Sequence, residues 1–462
     1  MCSLTNQQQQ AIEAIVTPDR VRFDAAARRR LSRDRGVTPA LLGPVNGKTV
    51  ADAVVWPITE QEVVSLAGIG RVEGLPLVPR GGGTGYYGGA VPADGGLVLD
   101  LTRLRGVPEV HGELVTVNAG TTWADLQTAL ARRGLSVRLY PTSASVSTVG
   151  GWVAQDGAGE GSHAFGWMHD NVAAIRLVGG DGRVHTLSGA DLDAALGAEG
   201  TTGVITAVEL YVRPATPMAH VWLRLPDGGS LTAALGYLMD CPLPIWSASF
   251  LNAAAARRLH LADGTALLRL TYAADEVDVA AGLHRMIKLA DSEPLPATIM
   301  QRHGPDGLAP LREAYPHGAM APAEVVVPTS RLAACLVELE RWMGSDLAVE
   351  GTSVRGRDIV LRAFVAPEHP AYAAGLGFGL AWGVLTIAER HGGRGLSTGR
   401  YFGARAASIL GAARVEFLRE ARAWLDPVGL LNPGKLIFGN EMMGHLVQLT
   451  GAVGGLRIRF AT

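Results

Sequence analysis

The residues most able to do chemistry lie in the stretch "LPLVPRGGGTGYYGGAVP", residues 75–92. Gly83, Gly85 and Gly88 spell G-x-G-x-x-G, the spacing of a nicotinamide dinucleotide turn. That turn needs a strand before the glycines and a helix directly after them, so that a pyrophosphate meets the helix N-terminus. "LPLVPR" supplies the strand, but Gly88 is followed by "GAVPADGGLVLDL", a proline, a turn and another strand. No helix can start there, and the acid that would hold a ribose has no βαβ unit to carry it. The chemistry left to the loop is a nest: consecutive small residues turn backbone N–H groups into one concavity that holds an anion. Arg80 stands at its mouth as a cationic contact. Two further glycine clusters follow, "PTSASVSTVGGWVAQDGAGEGSHAFG" (141–166) and "EGTTGVIT" (199–206). Three in one block form a ligand cleft more readily than three independent surface turns.

The elements that must position these loops read as short strands alternating with helices. "AVVWP" is a strand ended by Pro57, and Thr59 with Glu62 three residues on predicts a capping box opening a helix. "LPLVPR" and "GLVLDLTRL" are strands, and Thr121 or Thr122 caps a helix closed by Gly134. "VAAIRLVGGDGRVHTL" predicts two strands about a Gly-Asp-Gly turn, and "TTGVITAVELYVRP" a strand ending at Pro214. The expected organisation is a helical lead-in over 1–45, a ligand-binding α+β domain over 46–215, a second α+β domain over 216–405, a C-terminal segment over 406–438 and a tail over 439–462.

In combination "PLVPRGGGTGYYGGAVP", "TVGGWVAQDGAG", "EGTTGVIT" and "LDPVGLLNPGKL" resemble the FAD-binding fold of the vanillyl-alcohol oxidase and p-cresol methylhydroxylase (PCMH) superfamily. Within it they are most similar to the branch of D-lactate dehydrogenases, the glycolate oxidase flavin subunit and alkylglycerone-phosphate synthase. The resemblance implies an α+β protein: a PCMH-type FAD-binding domain of two subdomains, an α+β substrate cap and a C-terminal helical segment. It implies an FAD-linked oxidoreductase acting on CH–OH. The cofactor site would comprise Pro79, Arg80, Gly81, Gly82, Gly83, Thr84, Gly85 and Gly88 in the first loop. Pro141, Thr148, Val149, Gly150, Gly151, Ala154, Asp156, Gly157 and Gly159 would follow in the second, and Gly203, Val204 and Ile205 in the third. Relatives with covalent flavin attach it through a His or Cys near these loops. Residues 80–89 contain neither, so non-covalent FAD is expected.

The chain departs from the 2-hydroxy-acid branch where that branch carries a metal, in a motif like H-x-G-D-G-N-x-H and a later E-H-G. Here those places read "EGTSVRGRDIVLRAF" and "HGGRGLSTGRYFG". Thr352, Arg355, Gly356, Arg357 and Ile359 stand where ligands are expected, and Ser397, Thr398, Gly399 and Arg400 replace the later triplet, so no metal site is expected. Arg355, Arg357 and Arg400 could form a bidentate anion site, or be surface and ion-pair arginines. Arg312 resembles a substrate-carboxylate arginine of relatives. His391, His169, His317 and the phenol of Tyr401 are the candidates for proton transfer. The expected substrate is a small, anionic 2-hydroxy acid of the D-lactate or glycolate type. The electrons would leave to oxygen, a quinone or a partner redox protein. Alternatives are a flavin-carrying subunit of a larger dehydrogenase complex, with reduced catalysis of its own, and a non-redox transferase.

Composition narrows the partners. The formal net charge is −2, with 41 Lys+Arg against 43 Asp+Glu, which gives no basis for nucleic-acid binding. The three cysteines, Cys2, Cys241 and Cys335, are too far apart for a cluster motif. "RRRLSRDR" (28–35) reads as a solvated arginine-rich helix edge, and 370–388, free of charge, as a buried helix in preference to a membrane span. A cytoplasmic protein is expected, or one peripheral at the inner face of the membrane, with a tail able to dock on a partner subunit.

Overall fold

A computed structural model describes residues 4–36, 47–240, 243–262, 264–273, 293–294, 323–365, 377–438 and Leu449. Arg312, His317 and nearly all of the tail lie outside the described residues. Three sheets organise the rest. The first contains β1 (Val21–Arg22), β2 (Ala53–Val55), β3 (Leu77–Arg80) and β4 (Leu97–Asp100), in the order β1-β2-β4-β3. β2 and β3 both run parallel to β4. All three residues of β2 and all four of β4 are buried, as expected for strands covered on both faces. The chain passes from β3 through the glycine loop straight into β4, without the helix a dinucleotide turn requires.

The second sheet is built on β10 (Val204–Pro214), flanked by β6 (Leu114–Asn118) and β8 (Val172–Val178). β9 (Val184–Ser188) pairs with β8, closing the hairpin expected from the Gly-Asp-Gly turn. Among the described residues the third sheet has eight strands. Its centre is β12 (Ile245–Leu251), β16 (Ala348–Val354), β17 (Asp358–Phe364) and β15 (Ala323–Pro328). Leu361, Ala363, Val325 and Val349 place one face of this sheet in its own core against helices such as Leu332–Met343. The opposite face looks toward the glycine loops.

Local signals account for several helix starts. Thr59 accepts from the Glu62 amide at 3.2 Å and caps Glu60–Glu73, a bond worth about 1 kcal/mol. The expected capping box is half formed: the Glu62 carboxylate accepts instead from the Ile58 amide and pairs with Arg20 at 2.7 Å. Thr122 caps Trp123–Ala131 in the same way. The segment around 370–388 contributes the helix Gly377–Arg390, which packs on β15. No described helix is long and apolar enough to cross a membrane.

Candidate functional site

The glycine loop leaving β3 is pressed against the segment 146–151. A side-chain carbon on Gly81 would lie 2.3 Å from Thr148 Oγ1, and one on Gly82 would lie 2.1 Å from the Val146 carbonyl. Gly83 turns through φ +62°, where an L side chain is disfavoured, and the Arg80 guanidinium lies across it. Facing this loop is a short helix, Val149–Val153, whose N-cap Thr148 accepts from the Gly151 amide at 3.2 Å. Gly150 lets that helix sit on Ala119, since a side-chain carbon there would come within 2.6 Å of Ala119 Cβ.

Together these segments wall a narrow cleft of about 120 Å³, lined by Pro79 to Gly85, Thr148, Gly150, Gly151, Ala154, Gly203 and Ile205. Thirteen cofactor-site positions expected from the sequence therefore meet at one place. Pro141, Gly157 and Gly159 line the adjoining cavity. Four of the expected positions line neither space. Val149 and Val204 are fully buried in two hydrophobic cores. Gly88 turns beneath Arg400, and Asp156 holds His169, accepting from its Nδ1 at 2.7 Å and its amide at 2.8 Å.

The back of the loop is braced by the C-terminal segment. The Arg400 amide donates to the Tyr87 carbonyl at 2.7 Å, and Arg400 Nη1 donates to the Pro92 carbonyl at 2.9 Å. Lys435 is fully buried and donates to the Val91 carbonyl; burial pushes its pKa down to about 7. Asn432 Nδ2 donates to the carbonyls of Gly89 and Glu199 at 3.0 and 2.7 Å. The Glu199 carboxylate is buried in this layer and accepts from the Gly399 amide at 2.9 Å through one oxygen. Its other oxygen has no hydrogen-bond partner, although the residue borders the cleft. Burial pushes the Glu199 carboxyl above its ordinary value. Arg80 also borders the cleft, with Nε and Nη1 buried and without hydrogen-bond partners and Asp100 3.8 Å away.

The cleft opens at Thr84, Gly85 and Tyr86 into a second cavity of about 280 Å³ under the eight-stranded sheet. Strand alternation decides what it contains. Glu350 and Thr352 of β16, with Val360, Arg362 and Phe364 of β17, face it, and Thr352 lies directly across from Val360. Ile359, expected at a ligand position, points the other way into the core. Arg362 joins Glu324 at 3.1 Å and Glu350, forming a carboxylate–guanidinium–carboxylate bridge beside Tyr86. Burial pushes the Tyr86 phenol above its ordinary value, with Arg362 opposing the shift. Trp222, Phe250, Leu251 and Leu396 supply apolar walls, and Arg35 sits at the rim. No histidine lines either cavity among the described residues, nor is any group of three metal-ligating side chains placed to hold an ion there.

The residues expected to do chemistry are scattered. Arg355 and Arg357 occupy the exposed β16–β17 turn, paired with Asp170 at 3.7 Å and with Asp240, so they cannot join Arg400 in one anion site. His391 ends its helix by bonding Glu338 at 2.8 Å and lines neither cavity. Arg400 and Tyr401 are buried behind the glycine loop. The sequence reading missed Tyr86, Glu324, Glu350, Arg362 and Glu199. Only the period-two alternation of 348–354 and 358–364 could have paired Glu350 with Arg362.

The class the structure defines is an α+β protein in which a glycine-walled cleft runs into a cavity beneath an antiparallel sheet. Residues 51–188 match the model of the family described as FAD binding domain. The D-lactate dehydrogenase of Archaeoglobus fulgidus is 31% identical over 187 residues, 38% of this chain and 42% of that protein. The glycolate oxidase subunit GlcD of Bacillus subtilis is 30% identical over 182 residues, 37% of this chain and 39% of that protein. The chain thus matches about two-fifths of the length of these curated relatives. The crystal structure of p-cresol methylhydroxylase with substrate bound shares the fold, with a TM-score of 0.77 at 14% identity over 94% of this chain and 98% of that one. An alkyldihydroxyacetonephosphate synthase structure shares it at a TM-score of 0.73 and 18% identity over 94% and 86%.

The residues present fit FAD. Gly81 and Gly82 leave the close backbone approach that side chains would fill, and Arg80 and Glu199 bring unpartnered buried polar atoms to the same cleft. Arg80 to Gly85 and Thr148 to Gly151 would hold its phosphates, with Gly203 and Ile205 along the rest of the nucleotide.

Proposed function

We propose that the chain is an FAD-dependent oxidoreductase that oxidises a small 2-hydroxy acid of the D-lactate or glycolate type. The observation that carries this reading is the continuity of the glycine-walled cleft with the cap cavity through Thr84, Gly85 and Tyr86. Bound FAD supplies the acceptor for the two electrons that leave the substrate carbon as hydride. The names of the two curated relatives support the substrate class.

The chain's own groups cover the remaining roles. Arg35 at the cavity rim receives the substrate carboxylate, and Arg312 is a second candidate on the ground of resemblance. Tyr86 stays protonated at neutral pH, because burial disfavours the phenolate, and donates to the substrate oxygen. Glu324 and Glu350, steadied by Arg362, are the proton acceptors within the cavity. The apolar walls exclude water from the reacting carbon. We infer that FAD is held without a covalent bond, since no His or Cys lines the cleft among the described residues. A second reading, a flavin-carrying subunit of a larger complex, is supported by the relative named as a subunit. In either case oxygen, a quinone or a partner redox protein takes the electrons, in the cytoplasm or at the inner face of the membrane.

Anaerobic mixing with a panel of D- and L-2-hydroxy acids tests the proposal. Loss of the oxidised flavin band with one acid is the expected result. A flavin that dithionite reduces but no hydroxy acid bleaches overturns the substrate assignment and favours the subunit reading.

A further inference from the structure

A third cavity, of about 600 Å³, opens on the other side of the β16–β17 turn and shares no lining residue with the flavin cleft or the cap cavity. That volume falls in the range of small-molecule sites. Its floor is apolar: Met218, Leu238, Met239, Leu243, Ile245 and Trp246. Methionine and leucine side chains of this kind adapt to varied hydrocarbon shapes.

One charged group stands apart here. Arg213, at the end of β10, has its guanidinium 5.1 Å from the centre of the Trp246 ring. Its other contacts are long and neutral: Thr216 Oγ1 at 3.3 Å, the carbonyls of Val137 and Pro214 at 3.3 and 3.4 Å, and Met218 Sδ at 3.9 Å. Among the described residues no carboxylate pairs with it, and none lines the cavity. Desolvation lowers its pKa to about 10, so the cation is retained at neutral pH at a cost no neighbouring anion offsets. The other cations differ: Arg355 and Arg357 are exposed and paired with Asp170 and Asp240. His163 is kept neutral by burial, its pKa lowered to about 4, and its Nδ1 is 2.9 Å from Ser353 Oγ.

A desolvated cation without an anionic partner, set over an apolar floor, is complementary to one kind of molecule. We propose that this cavity is a second ligand site, separate from the flavin cleft, that binds an apolar molecule carrying a single carboxylate, with Arg213 on the carboxylate and the Leu238–Trp246 floor on the hydrocarbon. Ser353, held by His163, adjoins Thr352 in the wall of the cap cavity, so the new site touches the strand that shapes the substrate side.

Isothermal titration calorimetry of the full chain with decanoate, decanol and acetate tests this. Decanoate is expected to bind at least about tenfold more tightly than either decanol, which lacks the charge, or acetate, which lacks the chain; tenfold corresponds to about 1.4 kcal/mol. Arg213→Met, which keeps the hydrocarbon stem over Trp246, is expected to bring decanoate to the affinity of decanol and leave decanol unchanged. Leu243→Trp fills the cavity without touching the charge and is expected to abolish both, so a folding defect in one variant does not decide the outcome. No binding of decanoate, equal binding of decanoate and decanol, or unchanged decanoate affinity in a folded Arg213→Met protein would each overturn the proposal. None of these results depends on flavin reduction, so they are independent of the oxidoreductase reading.

Discussion

Replacing Gly82 by alanine probes the cofactor cradle at its tightest point. The new methyl group would start 2.1 Å from the Val146 carbonyl oxygen and 2.9 Å from its carbon, against an ordinary contact of 3.4 Å or more. Because the obstacle is backbone, no rotamer change relieves it, and the 81–85 loop must move outward by about 1 Å or the 146–148 turn must give way. Overpacking of this kind costs about 1–3 kcal/mol. Where the free protein relaxes by opening the loop, the same cost reappears as lost cofactor affinity, because binding must close the cradle again. That range corresponds to a dissociation constant raised about 5- to 150-fold. Titration of deflavinated protein with FAD, followed by quenching of flavin fluorescence, measures it. Gly68→Ala is the control: nothing lies within 4 Å of a side chain there, and the position is inside the helix Glu60–Glu73. It is expected to bind FAD normally and to be up to about 1 kcal/mol more stable. A folded Gly82→Ala protein whose FAD affinity stays within about twofold of wild type, well under that range, would refute the assignment of this loop to the phosphates.

Three other outcomes follow from the site. Arg362→Met removes the guanidinium that Glu324 and Glu350 share and is expected to cost about 3 kcal/mol at neutral pH, the lower end of the range for a broken buried pair, because the bridge faces a cavity. Chemical denaturation measures the loss, and a variant as stable as wild type contradicts the bridge. Tyr86→Phe is expected to lower kcat about 100-fold with FAD affinity unchanged, and unaltered turnover removes the phenol from proton handling. Lys435→Met tests the buried amine, whose pKa falls from 10.5 to about 7 on folding. Above pH 7 the unfolded chain holds a proton that the folded one has released, so wild type should gain about 2 kcal/mol between pH 7 and 9 that the variant does not. Parallel stability profiles would contradict it.

The part of the site made by backbone was legible in the sequence, because glycine reports close approach directly. Gly81, Gly82 and Gly150 stand where side chains would collide with Val146, Thr148 or Ala119, and the missing helix after Gly88 was readable from Pro92. The helix Val149–Val153 was not legible, since two glycines in five residues suppress helix propensity; Thr148 and the contact with Ala119 override it. The cap side was read poorly for another reason. Which residues of 348–364 face the cavity depends on where the hairpin turns. The turn falls at Arg355–Arg357, which sends those arginines to the surface and brings Glu350 and Arg362 together. Glu324 reaches the same cavity from another strand, a juxtaposition set by sheet order, which no local pattern encodes.

The central claim is that this chain holds FAD in the cleft between the Arg80–Gly85 loop and the Thr148–Gly151 turn. The most direct test is to record the visible spectrum of the purified protein, precipitate it with acid and assay the supernatant for flavin. A yellow protein that releases FAD equimolar with the chain is the expected result. A colourless protein that fails to take up added FAD would contradict it, and flavin retained in the pellet would contradict the non-covalent part alone.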